Sequence, residues 1–333
     1  MDFQDIYFEP EYGELCRIIE GGSVEVFELK TDHGRVRSMF LKRPLPAELD
    51  PGQTYFDITT PYGYGGPLIM ELTGDKDRLV REFSERFSRY CREEGIVCEF
   101  IRFHPLLHNA ADFKDQYETV YMRKTVVTDL EGVTDPLLEQ FSKSARKTIR
   151  RGLKDGARIE VIEKPDNLDA FMAIYYDTMD RNEAEDFYFF SKEYFDHLCH
   201  HLNDHFINVN IYLGEECIAS GIYFTYDEIM QIHLSGTKRE FLHLSPAYLL
   251  RNGAINWANE QGIRYVHHGG GVTNDPEDQL FQFKSRFTRN EPLDFHIGKK
   301  IYLPAVYEDM TEKSGKSEAT YFPKYRAREC QRK

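Results

Sequence analysis

The segment from Ile229 to Phe287 decides the fold of this chain. Residues 229–271 read IMQIHLSGTKREFLHLSPAYLLRNGAINWANEQGIRYVHHGGG, and LFQFKSRF follows at 280–287. The pattern predicts a strand, a loop, a helix that begins at Ser245-Pro246, a strand that ends in three glycines, and an aromatic helix. Amides at a helix N-terminus can hold an anion, and glycines let a ligand approach the main chain. We therefore expect a ligand site at one end of a sheet.

A run of short strands precedes this segment. FINVNIYL at 206–213 and CIASGIYFTY at 217–226 are bounded by turn residues and predict an antiparallel meander with the strand from Ile229. Two amphipathic helices, at 168–182 and from Ser191, come before the strands. The order helix, helix, three strands, helix, strand predicts an α+β domain.

The first half of the chain predicts a second α+β domain. Strands at 24–30 and 36–41 flank a turn, and the helix Asp77–Glu94 is followed by the strand IVCEFIRFHPL. The loop YGYGGP and the alternating polar residues of the last strand suggest ligand contacts. A strand-connecting turn and a solvated sheet face are the alternatives. The binding candidates in this half are Tyr62, Tyr64, Arg102 and His104.

Composition excludes several classes of protein. With 42 basic and 56 acidic residues the net charge is −14, so the whole molecule is not an electrostatic binder of nucleic acid or of an anionic membrane, and this charge mildly disfavours tRNA. We find no apolar run near the ~20 residues that a membrane helix needs. The six cysteines are scattered, which indicates reduced thiols, and the acidic N-terminus lacks signal-peptide features. We expect a cytoplasmic protein.

One segment carries the opposite charge. SKSARKTIRRGLKDGAR at 142–158 contains seven Lys and Arg residues against the single acid Asp155. If the segment is helical, Arg146, Arg150 and Lys154 form a stripe, and Lys147 lies beside it. Such a stripe suits the phosphates of tRNA, of a nucleotide-linked precursor or of coenzyme A. A solvated helix face is the alternative interpretation.

Histidines at 197, 201 and 205 share a helical spacing that can suggest zinc. No paired cysteines and no HExxH motif accompany them. We therefore expect surface histidines and no metal.

These motifs together resemble the FemAB-like branch of the GNAT acyltransferase superfamily, which includes peptidoglycan-type aminoacyltransferases and related polysaccharide-biosynthesis acyltransferases. The basic segment at 142–161, the segment 233–271 and LFQFKSRF, which is similar to the family's FKxxF, carry the resemblance. GGPL with IRFHPLL is similar to a weaker signature of the first half. The resemblance implies two tandem GNAT-like domains, each a mostly antiparallel mixed sheet flanked by helices. We expect them at 1–125 and 126–305, followed by a polar tail at 306–333.

The resemblance also implies a reaction. An amino group of a cell-envelope or polysaccharide precursor attacks an acyl donor directly, without metal or covalent intermediate. The FKxxF lysine, Lys284, is expected near the reacting centre to stabilise the oxyanion, and His268 to accept the amine's proton. A surface lysine and a histidine that satisfies the turn are the alternatives. The further binding candidates are Arg146, Lys147, Arg150, His233, Ser235, Thr237, Lys238, Ser245, Tyr248, Gly269 and Gly270. We expect His233 and Ser235 to face one cleft, because they alternate along a strand.

The chain departs from the family of acetyl-CoA users at one loop. Those enzymes commonly carry [RQ]xxGx[GA] before the helix, whereas residues 237–247 contain no glycine and Pro246 lacks an amide donor. The acyl donor, acyl-CoA (acetyl-CoA) or aminoacyl-tRNA, stays open. The acceptor is expected to be a small-molecule, lipid-linked or nucleotide-linked amine. The alternative function is a non-catalytic GNAT-fold module that binds a nucleotide-linked ligand.

Overall fold

The computed structural model describes residues 4–327 of the 333-residue chain. The described residues divide into two compact units. Unit 1 contains residues 4–6 and 123–294, and unit 2 contains residues 7–122 and 295–327. These bounds differ from the predicted 1–125, 126–305 and 306–333. The reason is long-range pairing, since residues 295–301 pair with a strand near residue 100 rather than with their neighbours in sequence.

Unit 2 is built on a mixed sheet with the strand order β1-β2-β3-β5-β12, and β4 pairs with β2. Strands β3 and β5 are parallel, and the other pairs in this sheet are antiparallel. The elements are α1 (Pro10–Glu20), β1 (Ser23–Thr31), β2 (Gly34–Pro44), β3 (Phe56–Thr59), β4 (Leu68–Leu72), α2 (Lys76–Glu93), β5 (Ile96–Arg102), α3 (Asn109–Phe113), β6 (Glu118–Asp129, shared with unit 1), β12 (Leu293–Ile301) and α10 (Pro304–Lys313).

The predicted helix of the first half is present as α2. Asp75 accepts a hydrogen bond from the Arg78 amide and caps its N-terminus. Leu79, Phe83 and Phe87 form the stripe that the helix buries against the sheet. Local sequence signals therefore determine this element.

The predicted polar tail begins in an ordered helix. Tyr307 and Met310 of α10 are buried and pack with Tyr325, which is also buried. Four of the ten residues of α10 are charged, so composition alone hides its apolar stripe. Residues 328–333 of the predicted tail lie outside the described residues.

Two carboxylates of unit 2, those of Asp57 and Glu99, are almost fully buried. Asp57 accepts hydrogen bonds from Arg43, with 2.7 Å from Nη2 to Oδ1, and also pairs with Arg326. Glu99 is 2 % exposed and accepts a hydrogen bond from the Tyr302 hydroxyl at 2.5 Å. Burial raises the pKa of Glu99 to about 7, and the Tyr302 hydrogen bond opposes that rise.

Unit 1 is built on a sheet with the order β6-β11-β10-β9-β8-β7. The pair β10–β11 is parallel and the other pairs are antiparallel. Its further elements are α4 (Pro136–Glu139), α5 (Lys143–Lys154), β7 (Ala157–Glu163), α6 (Asp169–Arg181), α7 (Lys192–His201), β8 (Phe206–Leu213), β9 (Glu216–Tyr226), β10 (Ile229–Thr237), α8 (Pro246–Glu260), β11 (Tyr265–Gly270) and α9 (Gln279–Lys284).

Helix α8 lies in the core of unit 1. Leu249 and Ile255 are fully buried with Val266 of β11 and Ile149 of α5. Gly253 permits the close approach, since a Cβ there would lie 2.6 Å from the Ile159 side chain. In the part of the chain that the structure describes, no helix is long and apolar enough to cross a membrane.

We predict that Glu99→Gln changes the pH dependence of stability. A carboxyl whose pKa is raised in the folded state stabilises the protein below its unfolded pKa, about 4.3, and that contribution is lost as the pH rises through 7. The variant should therefore gain about 3 kcal/mol relative to the wild type between pH 4.5 and pH 8. Urea unfolding at several pH values measures this difference. Glu118→Gln, which removes an exposed carboxylate of the same unit, is the control, and a pH-independent difference for Glu99→Gln would contradict the prediction.

Candidate active site

The parallel pairing of β10 and β11 is short. Ile229–Gln231 pair with Tyr265–His267, and a register irregularity follows in each strand. In β10 it lies between Ile232 and Leu234, where β9 is the partner, and in β11 between His267 and Gly269, where β6 is the partner. Such bulges redirect side chains and interrupt the alternation of a strand. His233 and His268 are the residues inserted at these two points.

His268 is buried at the bulge of β11. Its Nε2 lies 2.9 Å from the Thr128 hydroxyl, which itself donates to the Phe287 carbonyl at 3.1 Å. Because the hydroxyl proton is used there, Nε2 must be the protonated nitrogen and donate to Thr128. Burial, with a smaller effect of Arg251 and Lys284, lowers the pKa of His268 well below its usual range. This histidine is neutral near pH 7 and a weak proton acceptor.

Lys284 ends the short helix α9 and is half-buried. Its ammonium group donates a hydrogen bond to the Gly270 carbonyl at 2.6 Å. Burial lowers the pKa of Lys284 to about 7, and the positive charges of Arg251 and Arg123 act in the same direction. Both protonation states of this amine are therefore populated at neutral pH. The structure thus brings together the predicted residues Lys284, Gly269 and Gly270.

Two charged side chains hold the turn that carries Lys284. Arg123 donates to the carbonyls of Gly271 and Val272, both at 2.7 Å. Asp278 accepts from the amides of Val272 (2.9 Å), Thr273 (2.8 Å) and Phe281 (2.9 Å), and these hydrogen bonds lower its pKa to about 2. Sequence reasoning missed both residues. An aspartate before LFQF is a local N-cap signal that could have identified Asp278. No such signal marks Arg123, because it is 148 residues from Gly271 in sequence.

The start of α8 lies against α9. Ser245 has a left-handed backbone (φ 53°) and its side chain makes no capping hydrogen bond. Tyr248 packs on Phe283 and Phe287, with ring centroids 5.1 and 5.4 Å apart. Its hydroxyl accepts a hydrogen bond from Arg286 at 2.5 Å. Tyr248 thereby joins the first turn of α8 to the segment that carries Lys284.

The other predicted residues of β10, and Lys238 directly after it, contact other parts of unit 1. The Thr237 carbonyl accepts from Arg181 at 2.9 Å, and Lys238 pairs with Glu216 at 2.8 Å. His233 contacts the Tyr194 hydroxyl at 2.7 Å, and burial lowers its pKa to about 3. The expectation that His233 and Ser235 face one cleft stays a prediction, since the bulge lies between Ile232 and Leu234 and both residues are half-buried.

The predicted cationic segment is helical and forms α5. Ser142 caps it by accepting from the Ala145 amide at 3.2 Å, and Ile149 lies on its buried face. Lys147 and Arg150 are exposed, and Arg146 donates to the Leu138 carbonyl at 2.9 Å. Among residues 4–327, none of the six Lys and Arg side chains of α5 forms an ion pair with a carboxylate. The positive charge of α5 therefore has no ion-pair partner in the described part of the chain.

The predicted binding residues of the first half lie in unit 2, where their recorded contacts are internal. The Tyr62 carbonyl accepts from Tyr12 at 2.7 Å, and the Tyr64 ring packs edge-on against His104 at 5.5 Å. Arg102 donates to the Thr60 carbonyl at 3.0 Å. His104 does not share the strand face of Arg102, because β5 ends at Arg102 and His104 is fully buried beyond it.

The histidines of α7 do not form a metal site with their surroundings. The rings of His197 and His201 are 4.3 Å apart. Over the described range 4–327, no group of three or more His, Cys, Asp or Glu side chains is placed to hold a metal ion.

We predict that Lys284 reacts with an amine-directed acylating reagent near neutral pH. An ordinary lysine has a pKa of about 10 and is almost fully protonated at pH 7. Lys284 has a pKa of about 7, so half of it is neutral at that pH. Peptide mass spectrometry after short labelling from pH 6 to pH 10 gives the midpoint. Exposed Lys154 in the same digest is the control, and identical profiles for the two lysines would refute the prediction.

Comparisons with known proteins agree with this geometry. Residues 139–284 match the family model "Acetyltransferase (GNAT) domain". A UDP-N-acetylmuramoylpentapeptide-lysine N(6)-alanyltransferase of Weissella viridescens is 22 % identical over 287 residues, which cover 78 % of this chain and 81 % of the relative. The matched region contains β10, α8, β11 and Lys284.

Two solved structures share the fold. The crystal structure of FemX superposes with a TM-score of 0.68 at 12 % identity and covers 92 % of this chain and 94 % of FemX. A tandem GNAT protein from the clavulanic acid biosynthesis pathway has a TM-score of 0.50 at 11 % identity, with 83 % of each chain covered. The predicted α+β fold with GNAT-like domains and the predicted class of enzyme, an acyltransferase, are confirmed. Residues 139–284 are thus similar to GNAT acetyltransferase domains, and the resemblance of the chain to the FemAB-like branch of that superfamily is confirmed.

Proposed function

We propose that the protein transfers an aminoacyl group from an ester donor to an amino group of a nucleotide-linked cell-envelope precursor. The observation that carries this proposal is Lys284, an amine with a pKa of about 7 held on the Gly270 carbonyl at the end of β11. The alanyltransferase of Weissella viridescens, by its name, modifies the N6 amine of a lysine in a UDP-linked muramoyl pentapeptide, which supports this class of acceptor.

In the proposed reaction the acceptor amine attacks the acyl carbonyl, and a carbon–nitrogen bond forms. Protonated Lys284 stabilises the negative charge on the carbonyl oxygen. The carbon–oxygen bond of the ester then breaks, and the ammonium gives its proton to the leaving hydroxyl. Neutral Lys284 takes the proton that the attacking amine releases, which restores the enzyme. An amine with a pKa of about 7 can perform both transfers at neutral pH. We assign no proton transfer to His268, because it is neutral and bonded to Thr128.

The choice of an aminoacyl-tRNA donor rests on two features of unit 1. The loop before α8 is a 3-10 helix (Arg239–Leu244) that leads into Pro246, which has no amide to offer a pyrophosphate. Helix α5, in contrast, presents exposed Lys147 and Arg150 without acidic partners. A polyphosphate ligand compensates such charge. Acetyl-CoA is the other donor that the test must include.

We predict that Lys284→Met lowers kcat for transfer by at least about 10²-fold, the scale expected when one oxyanion donor is removed. The assay offers alanyl-tRNA or acetyl-CoA with UDP-N-acetylmuramoylpentapeptide and follows product by mass spectrometry. Lys192→Met, which removes an exposed lysine paired with Asp196, is the control.

Three results would count against this assignment. Retained activity in Lys284→Met removes the catalytic role of the lysine. Transfer from acetyl-CoA alone replaces the tRNA donor. Binding of the precursor without transfer from either donor supports the alternative, a non-catalytic GNAT-fold binding module.

We also predict that α5 sets the salt dependence of donor use. Lys147→Gln and Arg150→Gln should each raise KM for alanyl-tRNA and reduce the slope of log(kcat/KM) against log[salt] by about 1, as expected for one phosphate contact. Arg158→Gln, outside the helix and paired with Glu160, should leave the slope unchanged. An unaltered slope in both α5 variants would exclude this helix from donor binding.

A further inference from the structure

Arg251 is a buried charge that forms no ion pair with a carboxylate among the described residues. It lies in α8 and is 7 % exposed. Its Nε and Nη1 atoms have no hydrogen-bond partner among residues 4–327. A guanidinium keeps its positive charge in proteins, and burial of an uncompensated charge is strongly unfavourable. A group from outside residues 4–327 that accepts hydrogen bonds from these atoms would offset this cost.

In the described part of the chain, Tyr223 is the ionisable group that acts on the Arg251 charge, and no carboxylate does. Tyr223 of β9 is fully buried beside the guanidinium, and its hydroxyl has no hydrogen-bond partner in the described part of the chain. Lys284 of α9 adds a second amine, and His268 of β11 is neutral. The acid that acts on Lys284, Asp278, already accepts hydrogen bonds from three backbone amides.

We propose that Arg251 and Tyr223 form a buried receptor for a small anionic group, a carboxylate or a phosphate. The guanidinium supplies two nitrogen atoms with unused N–H groups and a fixed charge, and the phenol supplies a further O–H donor. Charge-assisted hydrogen bonds of this kind are the strong ones in proteins. The receptor differs in function from Lys284. Arg251 carries a permanent positive charge, whereas Lys284 exchanges a proton.

The cover over this receptor is thin. Phe283 of α9 lies over the guanidinium, with 6.0 Å from Cζ to the ring centroid. Helix α9 has six residues, none of them buried, and Phe283 is half-buried. Residues 272–277, which lead into α9, are exposed. An anion can reach Arg251 by displacement of this short helix, without opening of the sheet.

The experiment measures anion binding without any acyl donor, so its result does not depend on the proposed transfer reaction. The melting temperature of the full chain is followed with increasing inorganic phosphate or acetate, at constant ionic strength made up with chloride. We expect a saturable rise, because a ligand that binds the folded state stabilises it. A response to phosphate alone indicates a phosphoryl group as the natural ligand, and a response to acetate alone indicates a carboxylate. Either response, or both, supports the receptor.

Variants separate this binding from general salt effects, since phosphate also stabilises proteins by exclusion from their surface. Arg251→Met should lose the saturable response, and Tyr223→Phe, which keeps the ring, should weaken it. Arg264→Met removes a guanidinium paired with Asp129 in the same unit and should retain the response. A wild-type response that equals that of Arg251→Met overturns the proposal. If Arg251→Met does not fold, an undiminished response in Tyr223→Phe together with Arg251→Lys overturns it.

Discussion

Unit 1 depends on the early end of the parallel ladder between β10 and β11. Only three residues of each strand pair, and a bulge follows in both. The main chain after His267 therefore leaves the pairing with β10, stays paired with β6 to Gly270, and then turns into the segment that returns as α9. That return path places Lys284 on the Gly270 carbonyl.

Unit 1 contains positive charges that form no ion pair with an acid among the described residues. The whole chain has a net charge of −14. Helix α5 nevertheless has six cations without ion pairs in the described residues, and Arg251 is buried without an acid. Both arrangements are unfavourable in the protein alone. They become favourable when phosphate or carboxylate groups bind, which is the common physical basis of the proposals for donor and anion binding.

Burial sets the protonation states of His268 and Lys284. Burial lowers the pKa of His268 well below its usual range, and it lowers the pKa of Lys284 to about 7. The histidine is thereby fixed as a neutral hydrogen-bond partner of Thr128, and the lysine can exchange its proton near neutral pH. The same effect in unit 2 raises the pKa of Glu99 to about 7, so burial has opposite consequences for acids and bases.

The sequence by itself determined the elements of the chain and the general class of chemistry. Periodicity and capping residues predict α2, α5 and α8, and LFQFKSRF identifies Lys284, because these signals are local in the chain. Only the tertiary structure decided that residues 295–301 belong with β5, that the bulges redirect His233 and His268, and that Arg123 and Arg251 lie beside Lys284. These features depend on contacts between residues far apart in sequence. Burial and charge compensation are properties of that packing, and no local pattern encodes them.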